Sequence, residues 1–552
     1  MIIVGLMNSH DGGYAVLEDG KVIEHTEFER YTRIKESGGD SLKLFEERFL
    51  HPRNMTLEDV DQFVSPMPSY NLERGGGNTY DTHDRLPKEK VRFYSHHLCH
   101  AANSYFSSPY DEAFSISIDN AGMEDDEHGE SVSIYVCKKN HMKKIFSIPS
   151  EIFSLGDLWG RMTRWVFKLW SGYPRGHQAG SVMAMAALGD SDKYYNELVL
   201  MMGKDHKFAV TAPSNALRGV YVPPEEEVVH PYLNKFRLIA EDDQEKYNLA
   251  AALQRVTEEF LETLVEQAMS FNQANGSNIK NICFSGGVSL NSVSMGKVKD
   301  FLPKDWNVFI PPVPYDGGLS IGAAQYHYHT ILDNDRVYDK EFCSPYLGEG
   351  GYEIDLVECY DSYKDKVNVE KVTDRQVAQL LADGKIISVY NGSSESGRRA
   401  LGNRSILANP ALPDMKAMIN EKVKHRQWYR PFAPSILGEH GEEWFENYFH
   451  SPYMGFVFKI KEDKIGKAPA IEHFNQTARI QSVTKETNPW YYDLISYFYE
   501  ITGVPLVLNT SFNDREPIVE TPEDAFRCFL GTDIDYLYFA QQGDLVKKNE
   551  FE

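Results

Sequence analysis

The first hundred and fifty residues alternate between extended apolar runs and polar turns. "MIIVGLM" is a continuous apolar run, "NSHDGG" interrupts it with turn formers, and "YAVLEDGKVIEHTEF" resumes an extended pattern around Asp19-Gly20, a hairpin signal. The same grammar returns in "AFSISIDNAG" (113–122), an apolar strand ending in an acid and a turn, and in "SVSIYVC" after it. The period then changes. Residues 243–275 place apolar side chains at helical spacing, which predicts one long amphipathic helix. That helix leads into "NICFSGGVSLNSV", where a strand passes through Ser285-Gly286-Gly287 into a helix. "NVFIPPVPYDGGLSIGAAQYHYHTIL" repeats the order with Asp316-Gly317-Gly318 in the loop. Glycines at the carboxyl end of a strand let backbone approach a phosphate, although each such turn alone is nonspecific.

"SHHLCHAANSYF" reads as helix and sets His96 and His100 one turn apart on one face. Two imidazoles so placed can reach a single ion, or can be ordinary half-buried histidines; the spacing alone leaves both open. Polar, weakly hydrophobic sequence from 340 to 366 marks a boundary. After it, "TDRQVAQLLADGKIISVYNG" starts a new helix and strand, and the chain ends with two helix-then-strand units. The expected organisation is an α/β domain at 1–345, a linker at 346–366, a second α/β domain at 367–535 and a tail at 536–552. The stretch "ERGGGNTYDTHDRLPKEK" reads as a mobile insertion, and no solenoid-type repeat is present.

Composition narrows the classes. At 552 residues and 42% hydrophobic the chain is large enough for more than one core. No apolar run approaches the roughly 18 to 20 residues of a membrane helix, and "MIIVGLM" lacks a basic leader, so a cytoplasmic protein without a membrane partner is expected. The six cysteines show no CxxC spacing, which predicts reduced, buried thiols. A formal charge of -24 opposes binding to an extended phosphate polymer. Yet between Glu395 and Arg430 eight Lys or Arg (398, 399, 404, 416, 422, 424, 426, 430) face three acids. These cations interleave with Gly397, Gly402, Asn403 and Ser405 and end in "WYRPFAP", the pattern of a loop wrapped on an anion.

"SHDGG", "HHLCHAANSYF", "SIDNAG", "FSGGVSLNS", "PPVPYDGGLSIGAA", "ALGNRSILANP", "NEKVKHRQWYRPFAPSIL", "TARIQSV" and "TGVPLVLNTSFNDREPIVETPEDA" occur in one order across nearly the whole chain. Together they resemble the NodU/CmcH/TobZ-type O-carbamoyltransferases. The resemblance implies an N-terminal actin-like ATPase (ASKHA) fold of two subdomains followed by a YrdC-like α/β domain. It also implies that the second domain makes carbamoyladenylate from carbamoyl phosphate and Mg-ATP, and that the first passes the carbamoyl group to a hydroxyl. The implied metal ligands are His96, His100, Asp119 and Asp316, holding Fe2+, with Mn2+ or Zn2+ chemically admissible. His10 falls in the same site as a base or an orienting group, with the rival role of stabilising its turn. A nearby cation would keep it neutral. In the activating site Arg404, Lys422 and His425 are expected to act, and Arg399, Arg430, Arg479, Asn509 and Ser511 to bind, with Gly286 and Gly287 serving nucleotide binding in the first domain.

Two positions depart from the family pattern: Arg398 stands where a proline is common, and Ser181 where a lysine is common. The acceptor is open between a small molecule, a sugar and a hydroxymethylated base, so nucleic acid enters only as acceptor. Oligomeric state is not legible. A nucleotide sensor or hydrolase on the same folds is the competing class. A sensor has no need of both a metal set and a basic cluster. Threonylcarbamoyl transfer to tRNA is disfavoured because the C-terminal blocks match the O-carbamoyl family.

Overall fold

A computed structural model describes residues 1–66, 85–124, 128–169, 178–202, 231–337, 343–350 and 352–549. Most of the expected mobile insertion lies outside the described residues. The chain divides into one unit of Met1–Val22 with Gly38–Cys343 and another of Ile23–Ser37 with Ser344–Glu552.

Two five-stranded sheets in the front part of the chain share one plan. In the first, Ile2–Met7 pairs antiparallel with Gly13–Glu18 and parallel with Gln62–Ser65, which pairs parallel with Val91–Phe93. Asp19-Gly20, both at positive φ, turns the chain into Lys21–Glu27 at the sheet edge. In the second, Glu112–Met123 pairs antiparallel with Gly129–Lys138 and parallel with Asn281–Ser285; His141–Pro149 and Asn307–Phe309 close the edges. An antiparallel meander extended by two parallel strands is thus used twice, a repeated mixed α/β plan of the kind expected for two subdomains. The expected long helix is present as Asp243–Asn275, started by the Asp242 side chain accepting from the Glu245 N–H and stopped by Gly276 at φ 61°.

Between the sheets' helices the backbone approach is very close. His96–Phe106 packs on Leu319–Tyr326 through Cys99, Leu319, Ala323 and Ala324, all fully buried. A Cβ on Gly322 would lie 1.9 Å from the Cys99 carbonyl oxygen. Small residues here are a packing requirement, and they set where His96, His100 and Asp316 stand.

In the second unit an eight-stranded mixed sheet runs in the order Val367–Lys371, Asp544–Lys548, Tyr536–Phe539, Ile387–Tyr390, Arg404–Ala408, Leu506–Ser511, Ala433–Leu437, Gln481–Val483. Asp374–Ala382 and Pro489–Thr502 pack on it through Val377, Leu381, Leu494 and Phe498. The expected tail is corrected by this sheet: 536–539 and 544–548 are two of its inner strands. They pair with each other, but their other partners, Val367–Lys371 and Ile387–Tyr390, lie more than a hundred residues away in sequence, which no local window reveals. The expected linker also contains structure. Glu353–Tyr363 is a helix, with Tyr352, Leu356 and Cys359 buried one turn apart and the Tyr363 ring stacked 5.1 Å from Phe526. Among the described residues no helix is long and apolar enough to cross a membrane. All six cysteines are free, and five of them are buried.

Gly322→Ala is expected to cost about 1–3 kcal/mol through overpacking against the Cys99 carbonyl. The urea midpoint of the full chain measures this, and an unchanged midpoint would refute the close-packing argument.

Candidate metal centre and cationic pocket

Each potential ligand in the first unit is delivered by a different local device. His96 and His100 occupy the first turns of the helix that begins after Ser95. Asp119 sits where Glu112–Met123 loses register with its neighbour between Ile118 and Gly122, a bulge that re-aims its side chain. Asp316 heads the turn before Leu319–Tyr326. Their four ligand atoms lie within 4.8 Å of one another, and all four residues are buried. His96 Nε2 is 3.2 Å from Asp119 Oδ2 and 3.6 Å from Asp316 Oδ1; His100 Nε2 is 3.6 Å and 3.3 Å from the same atoms.

The two Nε2 atoms face each other at 3.1 Å, so at most one proton fits between them. Two nitrogen lone pairs and two carboxylates converging at one buried point suit a borderline divalent cation. Positive charge is drawn in: burial works against a charged His100, but its hydrogen bonds to the Asp119 and Asp316 carboxylates raise it to about 9. Asp119 is held well below the usual carboxylate range, since bonds from His100 and His96 outweigh its burial. His97, on the same helix, is pushed well down by burial and by those two imidazoles. The Gly287 N–H donates to Asp119 Oδ1 at 3.1 Å, and a Cβ on Gly122 would come 2.3 Å from the His96 ring. Gly287 therefore orients a candidate ligand. Gly286, at φ 85°, packs against Ile118, where a Cβ would meet the carbonyl oxygen at 2.2 Å.

His10 stands at the edge of this cluster, with Nε2 3.5 Å from Asp316 Oδ2 and Nδ1 3.3 Å from Asp11 Oδ2. Its side chain is 65% exposed. The bond to Asp11, then the charge of Asp316, raise it to about 10.

In the second unit the basic run folds inward. Lys424 is buried, and its Nζ donates to the Ser511 carbonyl at 2.5 Å and to Asn513 Oδ1 at 2.6 Å. Burial, then Arg426, depress it well below the usual lysine range. Arg426 is lowered by burial and by Arg430 and Arg479; Arg479 by burial and by Arg399 and Arg430; Arg430 by burial. His473 is lowered to about 3 by burial, Arg479 and Lys416. Arg479 Nε is buried with no hydrogen-bond partner. Cations that lower one another's proton affinity while partly buried side by side form a cluster suited to a polyanion.

The expected residues divide. Arg399, Arg430, Arg479 and Ser511 meet at this pocket. Arg404 does not open onto it: fully buried, its guanidinium donates to the carbonyls of Asn391 at 2.8 Å and Gly392 at 2.9 Å and lies 3.5 Å over the Tyr390 ring. It is a strut of the loop, because the strand that begins at Arg404 turns this side chain into the core. Lys422 is exposed at the end of Met415–Lys422, and the chain's turn after it buries Lys424 instead. His425, at φ 45°, faces Asp514 at 3.3 Å. Asn509 is buried and donates to the Ala400 carbonyl at 3.1 Å and Ser435 Oγ at 3.0 Å. Lys35, Arg426 and His473 were missed. Lys35 comes from 23–37, far off in sequence, where it is lowered by burial and feels Arg430 and Arg398. Alternation around Arg430 could have flagged Arg426. Arg398 pairs with Glu36 at 3.4 Å, and Ser181 is buried in the helix Ala179–Ala186.

The family model described as carbamoyltransferase N-terminus matches residues 76–325, and that described as carbamoyltransferase C-terminus matches 378–546. Nodulation protein NolO of Bradyrhizobium diazoefficiens is 31% identical, covering 80% of this chain and 77% of that protein. An uncharacterized protein of Synechocystis sp. is 31% identical over 96% of this chain and 94% of its own length. The chain belongs to the carbamoyltransferase family. Full-length HypF, solved in a phosphate- and nucleotide-bound form, aligns at TM-score 0.35 and 14% identity over 61% of this chain and 56% of that one, a likeness too low to decide anything.

Elemental analysis of the purified full chain is expected to find about one divalent metal ion per molecule, and His100→Ala to lower metal affinity by at least about 100-fold. Equal metal content in the two proteins would remove His100 from the ligand set.

Proposed function

We propose that this carbamoyltransferase is an ATP-dependent O-carbamoyltransferase working in two stages. In the second unit carbamoyl phosphate, ATP and one water give carbamoyladenylate, pyrophosphate and phosphate. In the first unit an acceptor hydroxyl oxygen attacks the carbamoyl carbon and AMP departs. The division has a chemical reason. Nitrogen donation makes a carbamoyl carbon a poor electrophile, so a neutral alcohol needs a better leaving group than a bare carbamate offers.

The observation that carries this reading is the mutual repulsion of Arg399, Arg426, Arg430, Arg479 and Lys424. Two polyanions brought together for adenylation repel each other, and such a cluster offsets that repulsion. Arginine forks suit phosphate oxygens, and Ser511 Oγ, which accepts from Lys424 Nζ at 3.2 Å and donates to Asn513 Oδ1 at 2.8 Å, keeps a lone pair that can accept from a carbamoyl NH2.

In the first unit His96, His100, Asp119 and Asp316 would hold a divalent ion, iron(II) being the choice the family resemblance implies. Bound there, it would supply Lewis acidity toward the adenylate phosphate. His10, exposed beside Asp316, is placed to orient the adenylate or to exchange a proton with the acceptor hydroxyl. Gly287 fixes the Asp119 carboxylate through its N–H.

The full-length protein is expected to catalyse ATP–pyrophosphate exchange that depends on carbamoyl phosphate. Arg479→Ala should reduce exchange by about 100-fold or more, while His100→Ala should leave exchange near wild type and abolish carbamoylation of hydroxyl compounds followed by mass. Absence of exchange in the folded wild type would favour a nucleotide sensor; loss of exchange in His100→Ala would merge the two stages.

A further inference from the structure

The loop between Glu395 and Arg404 carries Arg398 and Arg399, and buried side chains hold its backbone. Glu395 is 1% exposed, and its Oε1 alone accepts the N–H groups of Leu401 at 2.6 Å, Asn403 at 3.1 Å and Arg404 at 3.2 Å. The Gly397 N–H donates to Glu27 Oε2 at 3.1 Å. From the same early segment, Arg30 Nη2 donates to the carbonyls of Glu395 at 2.8 Å and Gly397 at 2.7 Å. Arg30 Nη1 lies 3.5 Å from Glu520 Oε2. Burial opposes the Arg30 charge, and Glu520, Glu27, Glu29 and Glu395 more than restore it. Gly397 at φ 89° and Gly402 at φ 115° supply the backbone shapes; a Cβ on Gly402 would meet the Tyr491 ring at 2.4 Å.

Neither Arg30 nor Glu395 belongs to the cationic cluster; both are buried. Their effect is on Arg399, which lies close enough to Arg479 to depress it. A slack loop would relieve that repulsion by swinging Arg399 away. A loop bonded at both its donors and its acceptors cannot.

We propose that Arg30 and Glu395 are positioning residues that hold the Arg398–Arg399 loop in its phosphate-receiving posture before any ligand arrives. Residues 23–37 are then an obligatory part of the binding site, and the matched C-terminal region 378–546 does not suffice alone. The inference rests on the polyanion reading of the pocket.

The test uses the full chain, inorganic pyrophosphate as probe, calorimetry for affinity and amide hydrogen exchange for the loop. The unliganded wild type is expected to protect the amides of 401, 403 and 404 as strongly as those of Ile387–Tyr390. Glu395→Ala should speed their exchange and weaken pyrophosphate binding by at least about tenfold. Glu395→Gln, whose amide oxygen can accept the same N–H groups, should stay within about threefold of wild type. If Glu395→Ala does not fold, Arg30→Lys decides: it keeps the charge but lacks the fork that spans two carbonyls, and should bind more weakly than wild type. Undiminished binding in Glu395→Ala despite lost protection, undiminished binding in Arg30→Lys, or rapid exchange of these amides in the wild type overturns the proposal. A wild type that protects the loop yet ignores pyrophosphate overturns the polyanion reading and leaves the clamp itself supported.

Discussion

Like charges held together with little water around them organise the second unit. Lys424, Arg426 and Arg479 are lowered most by burial and then by neighbouring cations, Arg399 and Arg430 among them. Such an arrangement is unfavourable for the unliganded chain, so the rest of the unit has to enforce it. The eight-stranded sheet supplies the floor, and Arg404 pins the loop from below through backbone carbonyls. Neutral groups do the local work of holding the cations, as when Asn513 and Ser511 anchor Lys424 and Asn420 receives Arg426 Nε at 2.7 Å.

The first unit has the opposite polarity and the same logic. Two aspartates are brought to two imidazoles inside a core where charge is expensive, and the cluster answers by concentrating positive charge at its centre. Steric exclusion secures the geometry. Gly122 makes room for the His96 ring, Gly322 lets one helix touch the next, and the bulge after Ile118 turns Asp119 inward. A donor cage suited to a cation in one unit and a cation cluster suited to an anion in the other would serve the two stages of the proposed transfer.

Much of this was legible in the chain. Alternating and helical periods located the strands and the helix at 243–275 because those patterns record which face is buried, a local property. Motifs in a fixed order carried the family, since backbone turns such as Asp316-Gly317-Gly318 tolerate few alternatives. The His96–His100 spacing alone left the site open, and only the family resemblance added Asp119 and Asp316, because those two arrive from a strand and a turn that no local window connects.

What the sequence determined alone was therefore the inventory: the elements, the family, the ligand types and the excess of basic residues between Glu395 and Arg430. Only the tertiary structure decided which cations share a pocket, since a one-residue change in direction after the helix Met415–Lys422 exposes Lys422 and buries Lys424. Only it showed Arg404 as a strut, 536–548 as two inner strands, and residues 23–37 as a part of the second unit. The reason is physical: burial and charge coupling depend on neighbours in space, and the chain brings those neighbours from hundreds of residues away.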